Sequence, residues 1–132
     1  MRYLLDTHTL IWALDAPERL PAPVEAILRD ARNLPFGVAA ITPWEIAMLT
    51  TRGRLQLARP VAEWLSTALR PEFVNLLPLL PPIAVDSCTL LGQFHADPAD
   101  RLIVATARHH GLTLLTADHA IRAYPHLRTL WD

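Results

Sequence analysis

Carboxylates recur in this sequence at the points where predicted buried strands end. Asp6 directly follows the first apolar run, Glu45 lies in the first helical turn after the second, and Asp118 comes two residues after a late one. Asp100 lies in the first turn of a late helix. Because ligands bind where the carboxyl ends of parallel strands converge, we expect these four side chains to lie close together. Clustered carboxylates repel one another unless a proton or cation compensates, and hard divalent ions prefer oxygen ligands, so the pattern predicts a metal site.

Each of the four acids could instead have a purely structural role that involves no metal. Glu45 could complete a capping box with Thr42 at the start of its helix. Asp100 could favour the dipole of its helix, and Asp118 could cap the short helix that follows it. Asp6 has no capping partner apparent in the sequence. The shared placement of the four acids at strand ends favours the metal site over four separate structural roles.

The elements that must position these acids alternate along the chain. We predict strands at residues 2–5, 36–41, 112–116 and 129–131, with a proline-broken extended segment at 73–80. Helices are predicted at residues 7–14, from Pro23, at 42–52, from Pro60, at 82–94, at 98–110 with Asp97 as cap, and at 118–124. Such alternation is typical of an α/β fold with a parallel sheet covered on both faces. At 132 residues, the chain is expected to form one domain over residues 1–132.

The composition excludes several classes of enzyme. All twelve basic residues are arginine, so P-loop enzymes, kinases, and Schiff-base or pyridoxal phosphate enzymes lack the lysine that they require. The six histidines show no HxxxH or HExxH spacing, and none of them is assigned to a metal. The net charge of −1 gives no overall basic field, so any contact with nucleic acid must come from a local patch.

The sequence is expected to remain in the cytoplasm. Its apolar runs are short, and none approaches the roughly 18–20 residues of a membrane helix. Asp6 follows only two leucines, so the N-terminus lacks the apolar core of a signal peptide. Cys88 is the only cysteine, which excludes an internal disulfide, and we interpret it as a small buried side chain. Trp12, Trp44 and Trp64 fall on predicted helices and are interpreted as core residues.

Four motifs resemble those of the PIN domain family, and most closely the VapC-type ribonuclease toxins of type II toxin–antitoxin pairs. They are LLDTH at residues 4–8, WEIA at 44–47, HADPADRLI at 95–103 and LLTADHA at 114–120. The resemblance spans almost the whole chain, and the four motifs in this order and spacing are specific. It implies a PIN-like α/β/α sandwich around a central, mostly parallel twisted sheet, and an endoribonuclease that depends on Mg²⁺ or Mn²⁺.

The resemblance also implies a role for each acid. The catalytic pocket carries over to Asp6, Glu45, Asp100 and Asp118, with Thr116 as the polar side chain beside the last acid. Asp6 and Asp100 would be the principal metal ligands, and Glu45 and Asp118 would complete the shell or act through water. Metal-activated water would then hydrolyse RNA phosphodiesters, because a divalent ion lowers the pKa of water and neutralises phosphate charge.

Three arginines form the candidate RNA-binding patch. Arg52, Arg54 and Arg59 fall within eight residues around Gly53, and arginine can hold phosphates in a bidentate manner. The alternative is that they only line a solvated turn between two helices.

The resemblance implies a homodimer and a VapB-like antitoxin that blocks the acidic site, with no membrane partner. A hydrophobic fraction of 52% leaves apolar surface for such partners. The main alternative function is a catalytically silent PIN-like module that binds RNA or protein, although retention of all four acids favours a nuclease. A phosphatase of the haloacid dehalogenase kind would need an acid at position 8, where this chain has His8, and a lysine that it lacks.

Overall fold

A five-stranded parallel sheet forms the centre of the computed structural model, which describes residues 1–90, 94 and 97–132. Its strands are β1 (Tyr3–Leu5), β2 (Phe36–Ala39), β3 (Val74–Leu77), β4 (Thr113–Leu115) and β5 (Thr129–Leu130), in the order β3-β2-β1-β4-β5. Leu5 is paired with Val38 of β2 and with Leu115 of β4. The three central strands therefore end at the same level. The strand order reverses between β1 and β4, which is where open α/β sheets bind their ligands.

Seven α-helices connect these strands in the described part of the chain. They are α1 (Thr7–Asp15), α2 (Ala22–Arg29), α3 (Ile41–Thr51), α4 (Val61–Ala68), α5 (Pro81–Cys88), α6 (Pro98–His110) and α7 (His119–Ala123). Short 3-10 turns follow α1 and α2, at Pro17–Arg19 and Ala31–Asn33. None of the described helices is long and apolar enough to span a bilayer.

The hydrophobic core lies on both faces of the sheet. Successive residues of a strand point to opposite faces, so Leu4 and Leu5 are both buried but belong to different clusters. Leu5 packs in the cluster that contains Trp64 of α4, whereas Leu4 packs in the cluster that contains Ile103 of α6. Helices cover the sheet on both sides, which confirms the predicted α/β/α sandwich with its parallel sheet.

Helix α6 begins and ends as its sequence predicts. Asp97 caps it through Oδ1, which accepts hydrogen bonds from the backbone N–H groups of Ala99 at 2.9 Å and Asp100 at 3.4 Å. Gly111 ends the helix at φ +64°, a left-handed conformation that glycine adopts without steric cost. This cap fixes the first turn of α6, and therefore the position of Asp100, beside the ends of the strands.

Some predicted boundaries and burials are wrong. Strand β2 ends at Ala39, two residues early, because α3 already begins at Ile41. The helix predicted at 82–94 is observed as Pro81–Cys88, and residues 91–93 of that prediction lie outside the described residues. Trp44 is 57% exposed, because α3 buries the opposite face through Thr42 and Ile46. Cys88 is exposed for the same reason, since Ile83 and Ser87 form the buried side of α5.

Candidate active site

Asp6 is held by hydrogen bonds to both of its carboxylate oxygens. It follows β1 and, although the sequence showed no capping partner for it, it caps α1: Oδ1 accepts a 2.8 Å hydrogen bond from the backbone N–H of Thr7. Its Oδ2 accepts a 2.6 Å bond from the hydroxyl of Thr116. The side chain is buried, and this burial raises its pKa although both hydrogen bonds act in the opposite direction. Asp6 is therefore fixed in orientation and poorly solvated as an anion.

Thr116 connects Asp6 to Asp118. It follows β4 and is fully buried, and its Oγ1 also accepts a 3.1 Å hydrogen bond from the backbone N–H of Asp118. Asp118 caps α7, because its Oδ1 accepts a 3.0 Å bond from the backbone N–H of Ile121. Asp118 thus has the capping role that was one of its two interpretations, and it also lies at the acidic site.

Glu45 is turned toward the end of β1 rather than toward the start of its own helix. Its Oε1 accepts a 2.6 Å hydrogen bond from the hydroxyl of Thr7. Thr42 Oγ1 lies 3.1 Å from the same Thr7 hydroxyl and must donate to it, because that hydroxyl has one proton and gives it to Glu45. The proposed capping box is therefore wrong: α3 is preceded by Ala40, which makes no side-chain cap. Burial and the nearby charge of Asp6 raise the pKa of Glu45, although its bond from Thr7 acts against this.

The predicted acids meet in one cavity of about 420 Å³, and a fifth acid joins them. Its lining residues are Asp6, His8, Trp12, Glu45, Asp97, Asp100, Ala117 and Asp118. Glu45, Asp97 and Asp100 each present a carboxylate oxygen within 4.8 Å of the other two. Sequence reasoning assigned Asp97 only to helix capping. The sequence could have indicated that Asp97 lies beside Asp100, because residues three apart lie on the same side of a helical turn.

The carboxylates of the cavity act on one another through their charges. Burial raises the pKa of Asp100 first, and the charges of Asp97, Asp6, Asp118 and Glu45 raise it further, to about 8. A cluster of this kind takes up either protons or a cation at neutral pH.

The donor set fits a hard divalent cation. All five acids offer oxygen ligands, which Mg²⁺ and Mn²⁺ prefer. Oxygens that bind one Mg²⁺ ion at about 2.1 Å lie no more than about 4.2 Å apart. The three oxygens lie within 4.8 Å of one another, so side-chain movement must bring them closer together before they bind one octahedral ion.

Comparison with known proteins identifies the family of this chain. The model of the PIN domain family matches residues 3–127. The chain belongs to the PIN domain family. It is 39% identical over 130 residues to Ribonuclease VapC22 of Mycobacterium tuberculosis, and the match covers 97% of each chain.

Solved structures share the fold of this PIN domain over nearly its whole length. VapBC2 from Rickettsia felis, solved with a DNA fragment from its promoter, superposes with a TM-score of 0.71 at 19% identity and covers 100% of both chains. FitAcB from Neisseria gonorrhoeae has a TM-score of 0.63 at 25% identity, covering 97% of this chain and 96% of its own. A toxin–antitoxin complex from Klebsiella pneumoniae has a TM-score of 0.63 at 20% identity, covering 96% and 95%.

The structure does not place the candidate arginine patch in the lining of the acidic cavity of the PIN domain. Arg52 is the C-terminal cap of α3, and Arg54 and Arg59 belong to the segment between α3 and α4. All three side chains are exposed, and Arg59 lies 3.7 Å from Glu63. None of the three is among the residues that line the cavity. Their role in binding RNA stays a prediction.

Proposed function

We propose that this PIN domain is a metal-dependent endoribonuclease and the toxin of a toxin–antitoxin pair. The observation that carries the proposal is the meeting of Asp6, Glu45, Asp100 and Asp118 in one cavity at the ends of parallel strands. The 39% identity to a ribonuclease over almost the full length supports the same reaction class. We further propose that residues 1–132 form one nuclease domain that acts in the cytoplasm.

In this proposal, Mg²⁺ or Mn²⁺ is held principally by Asp6 and Asp100, with Glu45 and Asp118 completing the shell. Asp97 joins them, because its carboxylate is in the same group of oxygens as Glu45 and Asp100. When bound, the ion supplies charge neutralisation for the phosphate and activation of water.

The chain's own hydroxyl groups keep the acidic side chains in position. Thr116 and the backbone N–H of Thr7 each hold one oxygen of Asp6, so that the carboxylate cannot rotate. The Thr7 hydroxyl donates to one oxygen of Glu45, Oε1. Outer hydrogen bonds of this kind orient metal ligands. Without a cation, the five carboxylates would repel an RNA phosphate, so the proposed cleavage should require metal.

A nuclease assay tests the proposal directly. The purified chain is incubated with single-stranded RNA in Mg²⁺, in Mn²⁺ and in EDTA, and cleavage is expected only with metal. Asp6→Asn and Asp100→Asn should each reduce cleavage to background, whereas Glu25→Gln on α2 removes an acid that does not line the cavity and should cleave normally. Circular dichroism checks that each variant is folded. If either asparagine variant cleaves at the wild-type rate, the ligand assignment is wrong.

Absence of cleavage by the wild-type chain with either metal would favour the alternative function. In that case the chain would be a catalytically silent PIN-like module that binds RNA or protein. Binding of the metal by such an inactive chain would show that the acidic cavity is retained without its reaction.

The proposed partners are a VapB-like antitoxin and a second copy of this chain. Large apolar side chains remain more than half exposed at Trp44, Leu79 and Val85, which are 57%, 53% and 64% accessible. Exposed apolar side chains are typical of surfaces that another chain covers. Copurification with the antitoxin, and a molar mass in solution that corresponds to the dimer, would support these two partners.

A further inference from the structure

One wall of the acidic cavity is aromatic. Helix α1 directly follows Asp6, and His8 and Trp12 lie one turn apart on it. Both side chains line the cavity beside the carboxylates. Their ring centroids are 5.8 Å apart with the planes tilted by 55°. Trp131, which follows β5, lies 5.8 Å from Trp12 but does not line the cavity. We call these three rings the aromatic row, in which Trp131 supports Trp12 from outside the cavity.

Arg19 places a positive charge beside the aromatic row. The guanidinium of Arg19, at the end of the 3-10 turn after α1, lies over the Trp12 ring at 5.0 Å from its centroid. The Arg19 side chain is exposed, and none of the ion pairs among the described residues involves it. A cation over an aromatic face is attracted by the ring electrons, so Arg19 stays beside Trp12 while its charge remains open to an anion.

Core packing accounts for only part of the aromatic row. Trp12 and Trp131 are partly buried against the cluster that contains Leu10, whereas His8 is exposed at the cavity. The carboxylates would bind the phosphate through a cation, but they have no apolar surface on which the flat face of a nucleobase could pack. The aromatic row offers such a surface on the same cavity.

We propose that the aromatic row is a base-stacking subsite of the nuclease, in which an unpaired base next to the scissile phosphate stacks against His8 and Trp12. Arg19, which lies over the Trp12 ring, then offers its charge to a neighbouring phosphate of the strand. The substrate class is single-stranded RNA, because a base inside a duplex is not available to stack on a protein ring. This inference rests on the proposed ribonuclease function, and it adds the place on the protein where a base of the substrate binds.

Binding of labelled RNA tests the subsite separately from cleavage. The probe is a fluorescent single-stranded RNA 12-mer of mixed sequence, and a second probe has the same backbone without bases. Affinities are measured by anisotropy with Mg²⁺ in an Asp100→Asn background that does not cleave. Trp12→Leu should raise the Kd for the 12-mer about tenfold, the loss of one base–aromatic stack. Trp12→Phe keeps a ring and should stay within about twofold of the parent.

The controls separate stacking from folding and from charge. Circular dichroism and thermal melting show whether Trp12→Leu is folded, and His8→Ala tests an exposed ring whose removal leaves the core intact. Trp44→Leu removes an exposed tryptophan that does not line the cavity, and its Kd should equal that of the parent. The baseless probe should bind the parent and the Trp12→Leu variant equally. Stacking releases few counterions, so the ratio of their Kd values for the 12-mer should hold between about 50 and 200 mM salt.

The subsite is overturned if folded Trp12→Leu and His8→Ala variants both bind the 12-mer as tightly as the parent. A loss of affinity that is the same for the baseless probe would overturn it as well, because the aromatic row would then serve the backbone or a polypeptide. The proposed function fails independently. If the wild-type chain cleaves no RNA while Trp12→Leu still weakens base-dependent binding, the subsite stands and the ribonuclease assignment falls.

Discussion

The Thr116 hydroxyl donates a 2.6 Å hydrogen bond to Oδ2 of Asp6, which is 110 positions away in the sequence. Each of the two residues directly follows a strand, and the two strands are neighbours in the sheet. The same hydroxyl oxygen accepts the backbone N–H of Asp118, so one side chain links two acids of the cavity. Thr116 is therefore a positioning residue for the site.

Replacement of Thr116 by valine should destabilise the protein and weaken metal binding. The buried Asp6 carboxyl loses a donor, which costs about 1–3 kcal/mol. Loss of an outer-shell partner lowers metal affinity about 10–100-fold. Thr116→Ser keeps the hydroxyl and should retain most of both properties. Urea denaturation and calorimetric Mg²⁺ titration measure the two effects, and equal behaviour of the valine and serine variants would contradict the role given to this hydroxyl.

The two roles of Asp97 can be separated by substitution. Asparagine caps a helix about as well as aspartate, so Asp97→Asn should keep the stability of α6 while weakening Mg²⁺ binding. Asp97→Ala should also lose about 1 kcal/mol of stability, because the backbone N–H groups of Ala99 and Asp100 lose their acceptor. Thermal unfolding in EDTA and Mg²⁺ titration distinguish the effects. Unchanged Mg²⁺ affinity in Asp97→Asn would leave Asp97 as a cap alone.

The metal-free protein should lose stability as the pH rises from about 4 to about 8. Asp100 has its pKa raised from 3.8 to about 8 in the folded chain, so in this window the folded state binds more protons than the unfolded state. Stability therefore falls until Asp100 is ionised in both states. Asp100→Asn should flatten this dependence and melt higher than the wild type at pH 8. Thermal melts in EDTA across the pH range measure this dependence. Parallel curves for the wild type and Asp100→Asn would show that Asp100 does not cause it.

Neutralising the arginine patch should weaken RNA binding and reduce its salt dependence. Each phosphate contact that is lost removes about one released counterion from the slope of log K against log salt. The test variant carries Arg52→Gln, Arg54→Gln and Arg59→Gln. The control is Arg29→Gln, which removes an exposed arginine paired with Glu25 on α2. If the salt titration gives the same slope for the triple variant and the wild type, the three arginines do not bind RNA and only line a solvated turn.

Expression of the chain alone should arrest bacterial growth. The proposed ribonuclease would then be active without its inhibitor, and Asp6→Asn should relieve the arrest because it removes a metal ligand. Coexpression with the antitoxin should restore growth, and the antitoxin should copurify. Equal growth of cells that express wild-type chain and Asp6→Asn at the same level would reject the toxin role while leaving nuclease activity in vitro untouched.

The sequence predicted the convergence of the acids because the parallel topology determines it. Once β1 and β4 are adjacent and parallel, residues that directly follow them must meet at one edge of the sheet. Asp6, which directly follows β1, and Asp118, three residues after β4, could therefore be placed near this edge from the strand ends. The cap of α6 could be predicted as well, since an aspartate before a proline is a local signal.

Side-chain direction was less predictable than position. Thr42 matched the pattern of a helix cap, but the contact of its hydroxyl with Thr7 depends on how α1 and α3 pack. Trp44 is apolar on a helix with apolar residues on most sides, so its sequence does not reveal which face the sheet covers. Asp97 looked like a cap and is one, and only the folded cavity shows that its carboxylate also meets Glu45.

The sheet order has a consequence for synthesis on the ribosome. Asp6 is among the first residues to emerge, but its partner Thr116 and the acid Asp118 are translated only after most of the chain. Strand β4, which lies beside β1, is likewise made late. A nascent chain from which these residues are still missing cannot assemble the cavity. A chain that is still being translated therefore lacks the proposed activity until its last acid has been added.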